Sequence, residues 1–203
     1  MKLPISVIIP LTKSREPFFY NYCLPSVEAN NPQQIIIEDD EGSAPYKRNL
    51  GASKATQPYL FFCDDDTILS KNCLPKMFQA IHAKEEVFAY SHYAVIVTKE
   101  EAHPIGKNFI HQSKPFNAKA LQKNNYIDTM SLLKTQSFPG FDENLLGYQD
   151  WDLWLRVVNS GGTGAFIDDL LFMKFCFDKG ISSDRIRHRE AKEAVRSKHQ
   201  LAL

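Results

Sequence analysis

The stretch YLFFCDDDT, residues 59 to 67, decides the fold, because it joins a buried strand to three adjacent carboxylates. Residues 59 to 63 are apolar, as in a parallel strand that is covered on both faces. Adjacent anions at a strand end repel one another unless water, a cation or a basic partner offsets the repulsion. Asp64, Asp65 and Asp66 therefore indicate either a site for Mg²⁺ or Mn²⁺, which prefer carboxylate oxygens, or an acidic turn that leads into the next helix.

The flanking sequence places this strand in an α/β domain. Apolar runs rich in Ile and Val cover residues 5 to 10 and 34 to 37, and helix-length segments follow them at 17 to 29 and 45 to 55. This alternation predicts a β-α-β-α-β order and a mixed, mostly parallel sheet flanked by helices. The later pattern predicts helices at 75–83 and 150–160, strands at 87–97, 128–134, 163–168 and 170–177, and a long polar loop at 98–125.

Length and composition bound the classes of function. With 203 residues, 43% of them hydrophobic, the chain fits one domain, residues 1–183, followed by a basic helical tail, residues 184–203. Zero formal net charge argues against a nucleic-acid partner. The four cysteines are widely spaced, which predicts reduced thiols and a cytoplasmic location. No apolar stretch reaches the ~20 residues of a membrane span, and the first residues predict a strand rather than a signal peptide.

Charged residues gather where the predicted strands end. Ligands bind at the carboxyl ends of the strands in an open α/β sheet. Acidic residues 38–41 follow the second strand, the aspartates 64–66 follow the third, and residues 10–12 follow the first. The adjoining segments supply the cations Lys13, Arg15, Lys47 and Arg48. Acids suited to a metal beside bases suited to phosphate favour a nucleotide as the ligand.

Several motifs in order resemble the family 2 glycosyltransferases, which have the GT-A fold of nucleotide-diphospho-sugar transferases. Residues 6–10, SVIIP, are similar to the family's opening strand, and residues 37–43, IEDDEGS, resemble its Asp-Asp-Gly-Ser nucleoside loop. Residues 48–51, RNLG, resemble its Arg-Asn-x-Gly helix, and residues 64–66 stand in the place of its D-x-D motif. Residues 140–143, GFDE, and 149–156, QDWDLWLR, are similar to its acceptor-side segment. The resemblance covers roughly residues 5–170.

The resemblance implies a donor site. Asp64 and Asp66 would hold Mn²⁺ or Mg²⁺ against the diphosphate of a sugar nucleotide, with Asp66 as the direct ligand and Asp65 near the ribose or sugar. Asp39 and Asp40 would bind base and ribose, and Arg48 would contact sugar or phosphate or else form a structural ion pair. The predicted donor-binding residues are Pro10, Leu11, Thr12, Arg15, Asp39, Asp40, Arg48, Asp64 and Asp65.

Asp150 is the predicted general base. The resemblance implies that it removes a proton from the acceptor hydroxyl during an inverting transfer, whereas an Asp before an amphipathic helix is otherwise typical of a helix cap. Asp152 and Arg156, spaced i, i+4, are interpreted as a helix ion pair. Trp151 and Trp154 are interpreted as core residues, with sugar stacking as the alternative.

Two departures from the family pattern concern the acceptor and the metal. Gln149 stands where many relatives have Glu, and residues 174–182 contain no His to complete a metal site, so that Asp178 or water would have to substitute. The tail, with six Lys or Arg between residues 185 and 199, is either a solvated helix or a weak contact for an anionic membrane.

The residues alone indicate a metal-dependent α/β enzyme that acts on a phosphate ester, and the resemblance implies that it is an inverting, metal-dependent glycosyltransferase. It would move a sugar from a nucleotide-diphosphate donor, with UDP favoured, to a hydroxyl of a glycan or lipid-linked saccharide. One alternative is a non-catalytic module that binds a nucleotide sugar. A sugar-phosphate nucleotidyltransferase is disfavoured, because residues 10–15 contain none of the glycines of a phosphate-binding loop.

Overall fold

The computed structural model describes residues 2–99, 103, 105–177 and 185–201. The strands in that part of the chain are β1 (Leu3–Pro10), β2 (Pro32–Glu38), β3 (Tyr59–Phe62), β4 (Thr67–Leu69), β5 (Phe88–Val97), β6 (Phe109–His111), β7 (Leu132–Lys134) and β8 (Gly164–Cys176). The α-helices are α1 (Glu16–Phe18), α2 (Leu24–Glu28), α3 (Ala44–Ser53), α4 (Cys73–Ile81), α5 (Ala118–Lys123), α6 (Gln149–Asn159) and α7 (Arg185–Lys198).

The strands form one mixed sheet in the order β2-β1-β3-β7-β5-β8-β4, with β6 paired to β5. Strands β2, β1 and β3 are parallel to one another, and β5 and β8 form a further parallel pair. Strands β7, β4 and β6 run antiparallel to their neighbours. As predicted, the carboxyl ends of β1, β2 and β3 meet at one edge of the sheet, which brings the segments that follow them together.

The core has two layers, one on each face of the sheet. Phe61 packs with the buried residues of α2 and α4, whereas its neighbour Phe62 packs with those of α6 on the opposite face. This division explains the continuous apolar run in β3, because side chains alternate between two buried faces. Trp151 and Trp154 are fully buried in the second layer, which confirms that they are core residues.

Two predicted elements differ from the observed ones because of local side-chain and backbone chemistry. The predicted helix at 17–29 is divided into the short helices α1 and α2 with a π-helical stretch, Phe19–Cys23, between them. Pro25 contributes to this break because it has no N–H to donate within an α-helix. The predicted strand at 128–134 shrinks to β7, because the Asp128 side chain accepts a hydrogen bond from the Met130 N–H and forms a local turn.

For three other segments the sequence pattern predicted the wrong secondary structure or the wrong extent. The polar segment at 98–125 is not a bare loop, since it contains β6 and α5, and the Asn117 side chain caps α5. The acidic triplet leads directly into β4, a short strand that the sequence pattern did not reveal. The two predicted closing strands are one strand, β8, in which the polar residues Asp168 and Asp169 are exposed beside an irregular register with β5.

The tail contains helix α7, from Arg185 to Lys198. It packs on the domain through Val195, which is fully buried in the same core layer as the two tryptophans. None of the described helices combines the length and the apolar character that a membrane span requires.

Candidate active site

Asp64 lies between two cations. The Arg48 Nη2 atom is 2.6 Å from Asp64 Oδ1, and the Lys174 Nζ atom is 3.0 Å from Asp64 Oδ2. Burial alone would raise the pKa of Asp64, but Lys174 and Arg48 outweigh it and hold that pKa well below the ordinary value. Asp64 is therefore a carboxylate at neutral pH, and each of its oxygens has a positively charged partner.

Asp65 and Asp66 share Arg15. The Arg15 Nη1 atom is 2.8 Å from Asp65 Oδ1 and 2.8 Å from Asp66 Oδ2. The backbone N–H of Thr12 donates to Asp65 Oδ2 at 2.6 Å, which ties the end of β1 to the end of β3. Burial and the nearby Asp64 raise the pKa of Asp66 to about 7, although Arg15 opposes the shift. Asp66 is thus the member of the triplet with the least compensated charge.

The predicted divalent ion can be tested against these contacts. No group of three or more acidic, His or Cys side chains in the described part of the chain could hold a metal by itself. Asp66 nevertheless has one oxygen without an ion-pair partner among the described residues, and burial, together with the charge of Asp64, raises its pKa. Mg²⁺ commonly takes one or two carboxylates and completes its shell with water and substrate phosphate. The residues therefore fit an ion held jointly by Asp66 and a diphosphate.

The second predicted metal ligand is differently placed. An ion could bind Asp64 only if Arg48 or Lys174 released one of its oxygens. Ligation by Asp64 stays a prediction, and Asp178, the predicted substitute for a histidine ligand, lies outside the described residues.

The nucleoside side of the site is open. Asp39 and Asp40 are exposed just after β2, and their predicted contacts to a base and ribose remain predictions. Pro10 ends β1 opposite Glu38, whose buried carboxylate pairs with Lys54 Nζ at 2.8 Å. The backbone oxygen of Leu11 accepts a hydrogen bond from Lys47 Nζ at 2.8 Å.

The Arg-Asn-x-Gly segment connects the two halves of the site. The Asn49 side chain donates to the Phe141 backbone oxygen at 2.9 Å and accepts from the Phe141 N–H at 2.7 Å. A methyl group at Gly51 would overlap the Ile8 side chain, so that glycine lets α3 lie close against β1. Arg48 lies over the Phe141 ring, 5.4 Å from its centroid. Helix α3 therefore holds Arg48 and the segment around Phe141 in one arrangement.

Asp150 lies in the first turn of α6 and is not the residue that caps the helix. The helix begins after Tyr148, which has a left-handed backbone with φ of 54°. The two carboxylate oxygens of Asp150 accept hydrogen bonds from the Trp151 N–H at 2.8 Å and from Asn125 Nδ2 at 2.9 Å. Burial, and then the charge of Asp128, raise the pKa of Asp150 to about 6. This pKa suits a base that works near neutral pH.

A cavity of about 390 Å³ opens at Asp150. Lys174 also lines this cavity, so one lysine borders both the acidic triplet and the candidate base. In this lining the Tyr93 ring stacks on His111, with ring centroids 4.7 Å apart, and on Phe172, with centroids 5.1 Å apart. The aromatic and imidazole residues of the lining are Tyr93, His103, Phe109, His111, Tyr148 and His188.

Helix α7 closes one side of the cavity and is anchored by a buried carboxylate. Asp152 is fully buried and lies 2.8 Å from Arg156 Nη2, 2.7 Å from Lys198 Nζ and 2.8 Å from His199 Nε2. The predicted Asp152–Arg156 pair is therefore present. Lys198, at the end of α7, and the next residue, His199, contact the same carboxylate. At the other end of the described side chains of α7, His188 Nε2 is 3.0 Å from the Tyr148 hydroxyl. Part of the positive charge of the tail is therefore paired with a carboxylate inside the fold.

We expect Asp152→Ala to lower the free energy of unfolding by about 3 kcal/mol, because the change leaves three basic side chains without their shared partner. Urea unfolding followed by circular dichroism measures the effect. Asp169→Ala, which removes only an exposed pair with Lys76, should cost no more than about 0.5 kcal/mol. Equal losses in the two variants would contradict an anchoring role for Asp152.

The sequence reasoning missed Lys174 and Asp128, which the fold brings to the center of the site. The Lys174 Nζ atom is 2.9 Å from Asp128 Oδ1. A single lysine in the otherwise apolar run 170–177 was a usable signal, because a charged side chain is rarely buried without a partner. The position of that partner depends on pairing between β8, β4 and β5, which the sequence pattern does not show.

Comparison with known proteins identifies a family. The sequence profile of glycosyl transferase family 2 matches residues 24–139, more than half of the chain. The chain belongs to glycosyl transferase family 2. A comparison with curated protein sequences finds no match.

Solved structures of S. aureus TarS have the same fold. TarS 1–349 is 12% identical with a TM-score of 0.66, and the alignment covers 98% of this chain and 65% of that one. TarS 1–349 in complex with UDP-GlcNAc is 13% identical with a TM-score of 0.67, covering 98% of this chain and 66% of that one. The chain therefore has the GT-A fold, and it spans just under two thirds of the length of TarS 1–349.

Proposed function

We propose that the protein transfers a sugar, with inversion, from a UDP-sugar to a hydroxyl group of a glycan or lipid-linked saccharide. The observation that carries the proposal is the junction at Lys174, which contacts Asp64 and lines the same cavity as Asp150. The acidic triplet, with its paired cations, therefore lies next to the candidate base. The TarS complexes with UDP-GlcNAc and with UDP support UDP as the nucleotide.

The donor half is suited to a diphosphate. Arg15 and Arg48 hold the acidic triplet in place, and their guanidinium groups are the kind of side chain that recognises phosphate. We include Mn²⁺ or Mg²⁺ at Asp66 in the proposal; when bound, the ion would offset the charge that develops on the leaving diphosphate. Asp65 holds the end of β1 through Thr12 and so fixes the backbone that would face the nucleoside.

The acceptor half is suited to a sugar hydroxyl. Asp150 would accept the proton of that hydroxyl as its oxygen attacks the anomeric carbon from the side opposite the diphosphate, which inverts the configuration. Asn125 and the Trp151 N–H orient the Asp150 carboxylate. Gln149 donates to the Leu145 backbone oxygen at 2.8 Å, which gives it a local structural partner. The cytoplasmic location and a weak contact of α7 with an anionic membrane remain predictions.

The rate of sugar transfer should rise as the pH increases through about 6, because only the ionised form of Asp150 accepts a proton and its pKa is raised to that value. UDP release from a UDP-sugar, measured between pH 5 and 8, reports the change. A rate that falls over this interval would contradict the assignment of Asp150 as the base.

A donor-cleavage assay tests the proposed function. The protein is incubated with Mn²⁺ and UDP-GlcNAc, UDP-glucose, UDP-galactose, GDP-mannose or dTDP-glucose, and the released nucleotide is measured with and without simple glycosides as acceptors. We expect UDP release from at least one UDP-sugar and increased release when a glycoside is present. Binding of a UDP-sugar without any cleavage would instead favour the non-catalytic module, and neither binding nor cleavage would contradict both proposals.

A further inference from the structure

Lys174 occupies a position that neither the D-x-D motif nor the candidate base accounts for. It lies on β8, in register with Thr67 of β4 and Val95 of β5. Its Nζ atom is 3.0 Å from Asp64 Oδ2 and 2.9 Å from Asp128 Oδ1, and its side chain is 20% exposed. The ammonium group therefore borders the donor carboxylates and remains partly open to the cavity.

The charge balance of the site makes the positive charge of this lysine important for binding an anion. Among the described residues, Asp64, Asp65, Asp66, Asp128 and Asp150 are accompanied by the cations Arg15, Arg48 and Lys174. The carboxylates outnumber these cations, and an incoming diphosphate adds further negative charge. In a partly buried site such an imbalance is weakly screened, so the loss of one cation has a large effect.

We propose that Lys174 is a built-in cation of the diphosphate site. Beside Asp64 it offsets the negative charge of the diphosphate, as the divalent ion would at Asp66. This inference rests on the proposed function, since it assumes a nucleoside diphosphate as the ligand. An ammonium group has three N–H donors and binds phosphate as a compact point charge. Asp64 and Asp128 hold this charge in place before the ligand arrives.

The proposal makes Lys174 and the metal partly interchangeable. The protein should bind UDP weakly without any divalent ion, because Lys174 and the two arginines remain. Removing Lys174 should then matter most when the metal is absent. A purely structural lysine, which only neutralised Asp64 and Asp128, would on removal weaken UDP binding to the same extent with and without metal.

Isothermal titration of the full chain with UDP, in EDTA and in Mn²⁺, distinguishes the two roles. We expect Lys174→Met to weaken binding at least about tenfold in EDTA but less than about threefold in Mn²⁺. Lys76→Met is the matched control, because Lys76 also pairs with a carboxylate, that of Asp169, but both side chains are exposed and lie outside the site. The control should bind UDP like the wild type in both conditions.

Three results would overturn the proposal: no UDP binding by the wild type in EDTA, no loss in Lys174→Met, or an equal loss in EDTA and Mn²⁺. If Lys174→Met does not fold, Asp128→Asn provides a second test. That change removes one of the carboxylates that neutralise Lys174, so UDP should bind at least about threefold more tightly in EDTA, and unchanged or weaker binding would overturn the proposal.

The same titrations separate this inference from the proposed function. If the wild type binds UDP in Mn²⁺ and Lys174→Met behaves like the wild type in EDTA, the Lys174 inference fails and the proposed function stands. If the wild type binds neither UDP nor any other nucleoside diphosphate in Mn²⁺, both fail.

Discussion

Asp150→Asn should reduce the rate of donor cleavage and sugar transfer by about 10² to 10⁴, because the amide cannot take the proton of the attacking hydroxyl. UDP affinity should change little, since Asp150 lies on the acceptor side and its hydrogen bonds are to Asn125 and Trp151. The rate is measured as UDP release, and the affinity is measured by titration of the same preparation.

The stability of this variant provides an internal check. Because burial raises the pKa of Asp150 to about 6, its ionised form is disfavoured in the folded protein, and replacing it should not lower the melting temperature at pH 7 to 8. Asp169→Asn, an exposed carboxylate change on β8, is the control and should leave the rate unchanged. A loss of less than about tenfold in Asp150→Asn would exclude Asp150 as the base.

Asp66→Asn should weaken the binding of Mn²⁺ in the presence of UDP by at least about 100-fold. The residue is the proposed protein ligand of an ion that takes its remaining ligands from phosphate and water, and loss of even outer-shell partners commonly costs 10- to 100-fold. Electron paramagnetic resonance of free Mn²⁺ measures the binding directly, without any assay of activity.

The control for this variant is Asp168→Asn, whose carboxylate is 88% exposed and pairs with His92 outside the acidic triplet. It should bind Mn²⁺ as the wild type does. Retention of Mn²⁺ affinity in Asp66→Asn, to within about threefold, would return the triplet to the structural interpretation, in which Arg15 and Arg48 neutralise an acidic turn.

The sequence predicted the half of the fold in which local pattern and tertiary structure agree. The apolar run before Asp64 is buried on both faces, so its composition alone indicates a central strand, and the order of strands and helices then brings residues 12, 15, 48 and 64–66 together. The sequence also singled out Asp150, because the resemblance of its motif to the family's, rather than its helix pattern, indicated a role.

The parts of the fold and of the site that were not predicted depend on contacts between segments that are far apart in the sequence. Lys174 meets Asp64 and Asp128 only because β8 pairs with both β4 and β5, and the sequence pattern does not specify that pairing. The docking of α7 depends on the buried carboxylate of Asp152, which in the sequence is indistinguishable from a surface helix residue. Strands β4 and β6 are each three residues long, too short for a periodic pattern to reveal.

Titration of the wild-type chain with UDP and with GDP in the presence of Mn²⁺ tests the central claim most directly. The account predicts that UDP binds at one site per chain, more tightly than GDP, and that EDTA weakens its binding. Absence of binding by either nucleotide in Mn²⁺ would contradict the account, because the cations around Asp64, Asp65 and Asp66 would then serve only to stabilise an acidic turn.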